Sequence, residues 1–266
     1  MEPNELGRLK EWFSEYCRSF YAENEADNRN FSLKETHTHH VCENMNLLTG
    51  SLKLSPNERT VAEAIALFHD VGRFEQYRRY STFRDDISEN HAALGVKVMK
   101  GEGVLANLPE EERRAIYLAV SLHNVFRVPP LVNGSDLLLT RLIRDADKLD
   151  IWRVFVEFYT MPETERASAV GLGFPDLPEC SREVLDCLAR RELVNLSMLK
   201  SLNDFKLLQL SWVFDLNFPA SFRLMVDRGY MDGLAMTLPK DGNLLNTLGL
   251  IREYVAGKAA GGDGDA

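Results

Sequence analysis

The sequence has few cysteines, no long apolar run and no excess of basic residues. Cys17, Cys42, Cys180 and Cys187 form no CxxC pair, and the closest two are seven positions apart. At 266 residues a disulfide-stapled scaffold is not expected. No stretch approaches the ~20 apolar residues that a membrane-spanning helix needs. The first residues, MEPNELGRLKEWF, lack the apolar centre of a secretion signal. A cytoplasmic protein with reduced thiols is therefore expected. The net charge is −9, which argues against a protein that coats a nucleic-acid polymer, since that work needs clustered cations. It leaves room for a small anionic substrate met by a local cation or metal. No alternating strand pattern and no internal repeat is present.

What is present is helical periodicity over a chain that is 45% hydrophobic, enough for a substantial core. Trp12, Tyr16 and Phe20 recur every four residues and predict a helix over 7–22. The run 23–30 is polar and turn-like, and 33–49 reads helical again. Ser55 and Pro56 open a helix that runs to about Asp70, with Gly72 as its stop. Residues 73–88 read as an irregular, Arg- and Tyr-rich loop of the kind that often carries function. Helices follow at 90–100, 110–124 and 136–160. The Pro- and Gly-containing stretch 161–180 predicts a boundary, with helices resuming at 181–200 and 203–217. The expectation is an all-α irregular helical bundle with a core at 1–160, a helical extension at 161–258 and a disordered tail at 259–266.

The histidines are the strongest signal. All six (His37, His39, His40, His69, His91 and His123) lie in the first half of the chain. His37 shares a helical face with Val41, Asn44 and Leu48. His40 shares the edge of that face and His39 points elsewhere. His69 and Asp70 end the stripe of Val61, Ile65 and Phe68. His91 heads a stripe with Leu94, Gly95 and Val98, and His123 ends one with Ile116, Ala119 and Val120. Any one of these could be an ordinary core histidine, and the His69–Asp70 end could simply reach water. Several such faces converging would leave each imidazole in need of its own partner. In Arg144–Asp150, Asp147 falls on a face with Ile143, Asp150, Ile151 and Val154. Asp145 falls on another, with Leu138, Leu142 and Leu149. A calcium loop does not fit, because Asp150 stands where that loop needs glycine. Imidazole with carboxylate suits Zn, Fe, Mn, Co or Ni, and so water activation and phosphoryl polarisation.

His37-Thr38-x-x-Val41, His69-Asp70-Val71-Gly72-Arg73 and Ala146-Asp147-Lys148-Leu149 together resemble the HD-domain superfamily of metal-dependent phosphohydrolases over about residues 30–155. His91 and His123 resemble the extra histidines of its two-metal branches. The resemblance implies that His37, His69, Asp70 and Asp147 hold a first divalent transition metal. Asp70 would bridge to a second, held also by His91 and His123, and a water between the metals would be the nucleophile. It selects His37 over His40 and Asp147 over Asp145. Arg73 and Lys148 become the expected phosphate-contacting and catalytic residues beside Asp70. Arg78, in the polar run that follows, and His123 are further candidates for substrate contact. The implied activity is hydrolysis of a small phosphorylated, nucleotide-like substrate. Two other readings share the ligand set: a di-iron oxygenase acting on a polyol or phosphonate, and a non-catalytic metal- or ligand-binding regulator. No nucleic-acid polymer or membrane partner is expected, and a homo-oligomer is left open.

Overall fold

The structure is a computed structural model, and residues 1–170 and 173–261 are described. It is built of α-helices and short 3-10 turns, with no strand among the described residues. The chain divides into two compact units. The first is Met1–Asp150 with Arg166–Val170, and the second is Ile151–Glu165 with the chain from 173 onward. The division falls inside one long helix, whereas the sequence suggests a boundary in 161–180.

The first unit contains α1 (Pro3–Arg18), α2 (Glu25–Gly50), α3 (Pro56–Phe68), α4 (Gly72–Tyr80), α5 (His91–Gly101), α6 (Glu110–Leu122) and most of α7 (Gly134–Thr160). Helix α3 is its centre. Ser55 and Glu58 close a reciprocal capping box at its start, and Pro56 sits in the first turn. Val61, Ala62, Ala64, Ile65, Ala66, Leu67 and Phe68 are all buried. A helix apolar nearly all round must be enclosed, and α1, α2 and α6 pack against this one. Its C-terminal end therefore does not reach water: His69 and Asp70 are 0% and 3% exposed.

Helix α1 buries Leu9, Phe13 and Cys17. Phe13 meets Phe74 of α4 edge-on at 6.1 Å, and Phe20 and Phe31 join the same aromatic cluster. Helix α2 begins earlier than the polar run 23–30 suggests. Asn24 accepts from the N–H groups of Ala26 and Asp27, and Glu25 and Asp27 complement the helix N-terminus.

The stretch 73–88, expected to be irregular, is helical to Tyr80. It ends where Ser81 adopts a left-handed φ of 53°, and a 3-10 turn follows at Asp85–Ile87. Gly72 starts α4 rather than simply stopping α3. Its role is closeness: a Cβ there would overlap the His91 carbonyl oxygen and the Gly95 nitrogen of α5. Asn90 caps α5 by accepting from Ala93 N–H at 2.9 Å.

The second unit contains the end of α7, α8 (Arg182–Ala189), α9 (Leu202–Ser211), α10 (Pro219–Asp227), α11 (Tyr230–Met236) and α12 (Gly242–Ala259). Its central helix is α9, buried from Asn203 to Ser211. Trp152 donates its indole N–H to the Gln209 carbonyl at 2.9 Å, and Phe155 meets Phe205 edge-on at 5.2 Å. Helix α8 is shorter than the expected 181–200, because Arg191 turns left-handed at φ 59°. Of the expected disordered tail, Ala259 is the last residue of α12, and 262–266 lie outside the described residues.

Candidate metal centre

Six elements of the first unit deliver polar side chains to one point. His37 comes from the middle of α2, His69 from the C-terminal cap of α3, and Asp70 from the tight link between α3 and α4. His91 is the first residue of α5, His123 caps the end of α6, and Asp147 lies on α7. Two side chains set these elements against one another through long-range bonds. Asn44 of α2 donates to Ala146 O of α7 at 3.0 Å. The buried Arg144 donates to His123 O at 3.1 Å and Val125 O at 2.6 Å. It thereby satisfies carbonyls that a helix end leaves open, and it fixes the end of α6 on which His123 sits.

The donors fall into two groups that share Asp70. His37, His69 and Asp70 form one and Asp70, His91 and His123 the other; within each, the candidate donor atoms lie within 4.8 Å of one another and every residue is buried. Asp70 presents a different oxygen to each. Its Oδ2 is 3.6 Å from His37 Nε2 and 3.8 Å from His69 Nε2. Its Oδ1 is 3.3 Å from His91 Nε2 and 3.8 Å from His123 Nε2. Asp147 joins the first group, with Oδ1 at 3.0 Å from His37 Nε2 and 3.6 Å from His69 Nε2. Its side chain is 14% exposed, so the cluster is more open there than at its histidines.

Each imidazole is turned by a bond to its other nitrogen. His37 Nδ1 donates to Asp150 at 2.7 Å and His91 Nδ1 to Asp85 at 2.7 Å. His69 Nδ1 donates to Ala66 O and His123 Nδ1 to Val120 O, each at 2.7 Å. A carbonyl or an ionised carboxylate only accepts, so these bonds place a proton on each Nδ1 and turn Nε2 towards the cluster, where a neutral imidazole could bind a metal. That is the outer arrangement that orients metal-ligating histidines.

Electrostatics separates the two groups. Burial and Lys34 push the His37 imidazole down, but the bonds to Asp147 and Asp150 outweigh them and leave it raised to about 9. In the other group burial dominates. It lowers His91, with Arg73 adding, and takes His123 down to about 3, with His91 and His69 adding. Burial would raise Asp70, yet Lys34, His69, Arg73 and His91 hold it well below the usual carboxylate range. Asp147 is likewise held down by bonds from His37 and His69.

The donor set fits a cation. His91 Nε2 and His123 Nε2 lie 3.0 Å apart, with Asp70 Oδ1 beside them. Three electron-rich atoms on one space repel unless a positive charge lies among them. Nitrogen and carboxylate donors suit a divalent transition metal.

Residues 35–152 match the family model described as HD domain. This stretch of the chain is similar to an HD domain. The matched stretch takes in α2 from Glu35 onward through the part of α7 that carries Asp147 and Asp150, and so includes all of the cluster. No curated protein and no solved structure matches the chain. No helix among the described residues is long and apolar enough to cross a membrane.

The other expected site residues lie as follows. Within the matched stretch, His40 stays outside the cluster, 3.7 Å from Asp150, and His39 packs edge-on against Phe13. Asp145 is buried on α7, but it is Asp147 that meets His37 and His69. Arg73 commits one arm of its fork inside the fold. Its Nη1 donates to Phe83 O at 2.5 Å, Gln76 at 2.8 Å and Asp85 at 3.0 Å, and its Nε lies 3.5 Å from Asp70 Oδ1. Lys148 is buried, with Nζ 3.3 Å from Arg144 O. Arg78 is not brought to the cluster; it pairs with Glu75 and lies over the Phe20 ring at 4.8 Å. Sequence reasoning missed Lys34, Asp85, Asn124 and the role of Asp150. Asp150 had a signal, since it shares a helical face with Asp147. Lys34 had one too, one turn before His37. Asp85 had none that distinguished it from its neighbour Asp86.

Proposed function

We propose that this protein is a metal-dependent phosphohydrolase that cleaves the ester bond of a small phosphorylated substrate. The observation that carries this reading is Asp70, whose two oxygens each serve one histidine pair, an arrangement suited to two cations side by side. His37, His69, Asp70 and Asp147 would hold one, and Asp70, His91 and His123 the other. Bound there, divalent metal ions supply an activated water at neutral pH and neutralise charge on a phosphoryl oxygen.

The rest falls to the chain itself. Asp85 and Asp150 hold His91 and His37 in the tautomer that ligation needs. Arg73, anchored on Phe83 O and Asp85, keeps Asp70 ionised. Burial of the four imidazoles keeps bulk water from competing for them. The partly exposed Asp147 side is the approach for substrate.

Iron accepts the same donors, so the test must separate two chemistries. Protein loaded with manganese is offered a panel of small phosphate mono- and diesters, and phosphate release is followed. Oxygen uptake is followed in parallel on iron-loaded protein. Phosphate release that Asp70→Asn abolishes is the expected result. Oxygen consumption without phosphate release would replace the reading with an oxygenase. Metal binding with neither activity would leave a ligand-binding regulator.

A further inference from the structure

Lys34 lies one helical turn before His37 on α2, and spacings of three and four put side chains on one face. Its Nζ is 2.7 Å from Asp70 Oδ2, the oxygen that faces His37 and His69. Its ammonium also lies 5.2 Å from the centre of the Phe83 ring. The side chain is 16% exposed, so it reaches the cluster from the solvent side. The family match begins at residue 35, just past it.

Two cations thus flank Asp70, one per oxygen, and they are held differently. Arg73 is anchored at a distance from Asp70 by the Phe83 carbonyl, Gln76 and Asp85. Lys34 has Asp70 as its ion-pair partner and an aromatic face as its support. A lysine is a mobile point charge on a four-carbon stem, whereas an arginine fork is rigid. Cations bound at Asp70 would repel Lys34 Nζ from the carboxylate, and the stem lets it move without disturbing α2.

We propose that Lys34 is the residue that binds the phosphate group of the substrate, exchanging Asp70 for a terminal phosphoryl oxygen once the centre is loaded. This rests on the phosphohydrolase reading above. Lys34 then serves in two states. In the metal-free protein it neutralises Asp70, and in the loaded protein it draws an anion to the first donor group.

The test compares wild type with Lys34→Met, which keeps the stem and removes the charge, and with Lys34→Arg. Manganese affinity is measured by calorimetry without substrate, and the affinity of the manganese-loaded protein for inorganic phosphate is then measured the same way. A hydrogen bond to a charged group implies a loss of roughly 10-fold or more in phosphate affinity for Lys34→Met. Manganese affinity should be unchanged or tighter, and the loss should appear in KM more than in kcat. Lys34→Arg should recover part of the phosphate affinity. Unchanged phosphate affinity in a Lys34→Met protein that binds manganese more tightly would overturn the proposal, because Lys34 would then only balance Asp70. If Lys34→Met does not fold, Lys34→Gln is read by the same criteria. Wild-type protein that binds manganese but neither binds phosphate nor releases it from any ester would instead remove the phosphohydrolase reading itself.

Discussion

His91 and His123 face each other through their Nε2 atoms at 3.0 Å, and both rings have already committed their Nδ1 protons to Asp85 and Val120 O. Neither nitrogen can donate to the other, and both imidazoles are held neutral by burial. The first prediction follows directly. Protein purified without chelators should carry close to two metal ions per chain by elemental mass spectrometry. His91→Ala should carry close to one. An unchanged metal content in the variant would remove His91 from the centre.

Asp85 orients His91 through Nδ1 and is itself held by Gln76, Arg73 and Asn124. Asp85→Asn keeps the shape and loses the charge. Outer partners of this kind are worth about 10–100-fold in metal affinity. The variant should lose about that much at one position in a metal titration while the other stays near wild type. Equal loss at both positions would show that Asp85 supports the fold rather than His91.

The raised His37 predicts opposite pH trends for the metal-free and loaded proteins. An imidazole raised from 6.5 to about 9 in the folded protein contributes stability that is fully present below pH 6.5. That contribution is lost as pH rises through about 9. Metal-free protein should therefore melt at a lower temperature at pH 9 than at pH 6.5, so far as His37 governs the difference. Metal uptake requires a neutral imidazole. Affinity at the His37 position should rise with pH over that window, by roughly tenfold per unit for one displaced proton. His123, held down at about 3, adds no such dependence there. Calorimetry in buffers of different ionisation enthalpy would count the released protons, and none released at pH 7.5 would contradict the assignment.

Gly72→Ala should be costly. The added Cβ meets backbone atoms of His91 and Gly95, which cannot rotate away as a side chain could. Overpacking of this kind costs about 1–3 kcal/mol. Because the displaced element is the start of α5, the variant should also lose metal at the position His91 serves. A lower melting temperature with full metal content would mean that the strain is absorbed elsewhere.

Most of the cluster was readable because His69, Asp70, His91 and His123 end or head apolar helical stripes, while His37 and Asp147 share faces with apolar residues. Val61, Ile65 and Phe68 lead to His69 and Asp70, and Ile116, Ala119 and Val120 lead to His123. Helix α4 was not readable. Its buried side mixes Phe74 and Tyr77 with Glu75 and Gln76, so no apolar period stands out, and it depends on Gly72 for its close approach to α5. The start of α2 was hidden for a similar reason, since an Asn24 cap on a polar first turn looks like a loop. Asp85 escaped because its pairing with His91 leaves no local pattern, and Lys34 because its place one turn before His37 does not reveal a partner 36 residues away. Arg144 escaped because a cation that closes the end of another helix looks, in sequence, like any solvated arginine.

The enclosure of α3 bears on how the centre comes apart. Segments buried on all sides open to solvent only when the whole unit unfolds, and their amides exchange hydrogen most slowly. His69 and Asp70 sit at the end of such a segment, so local breathing cannot pull His69 away from Asp70. Slow amide exchange across Val61–Phe68 should then coexist with extraction of the ions by a small chelator, which can enter beside Asp147 while the helix stays intact.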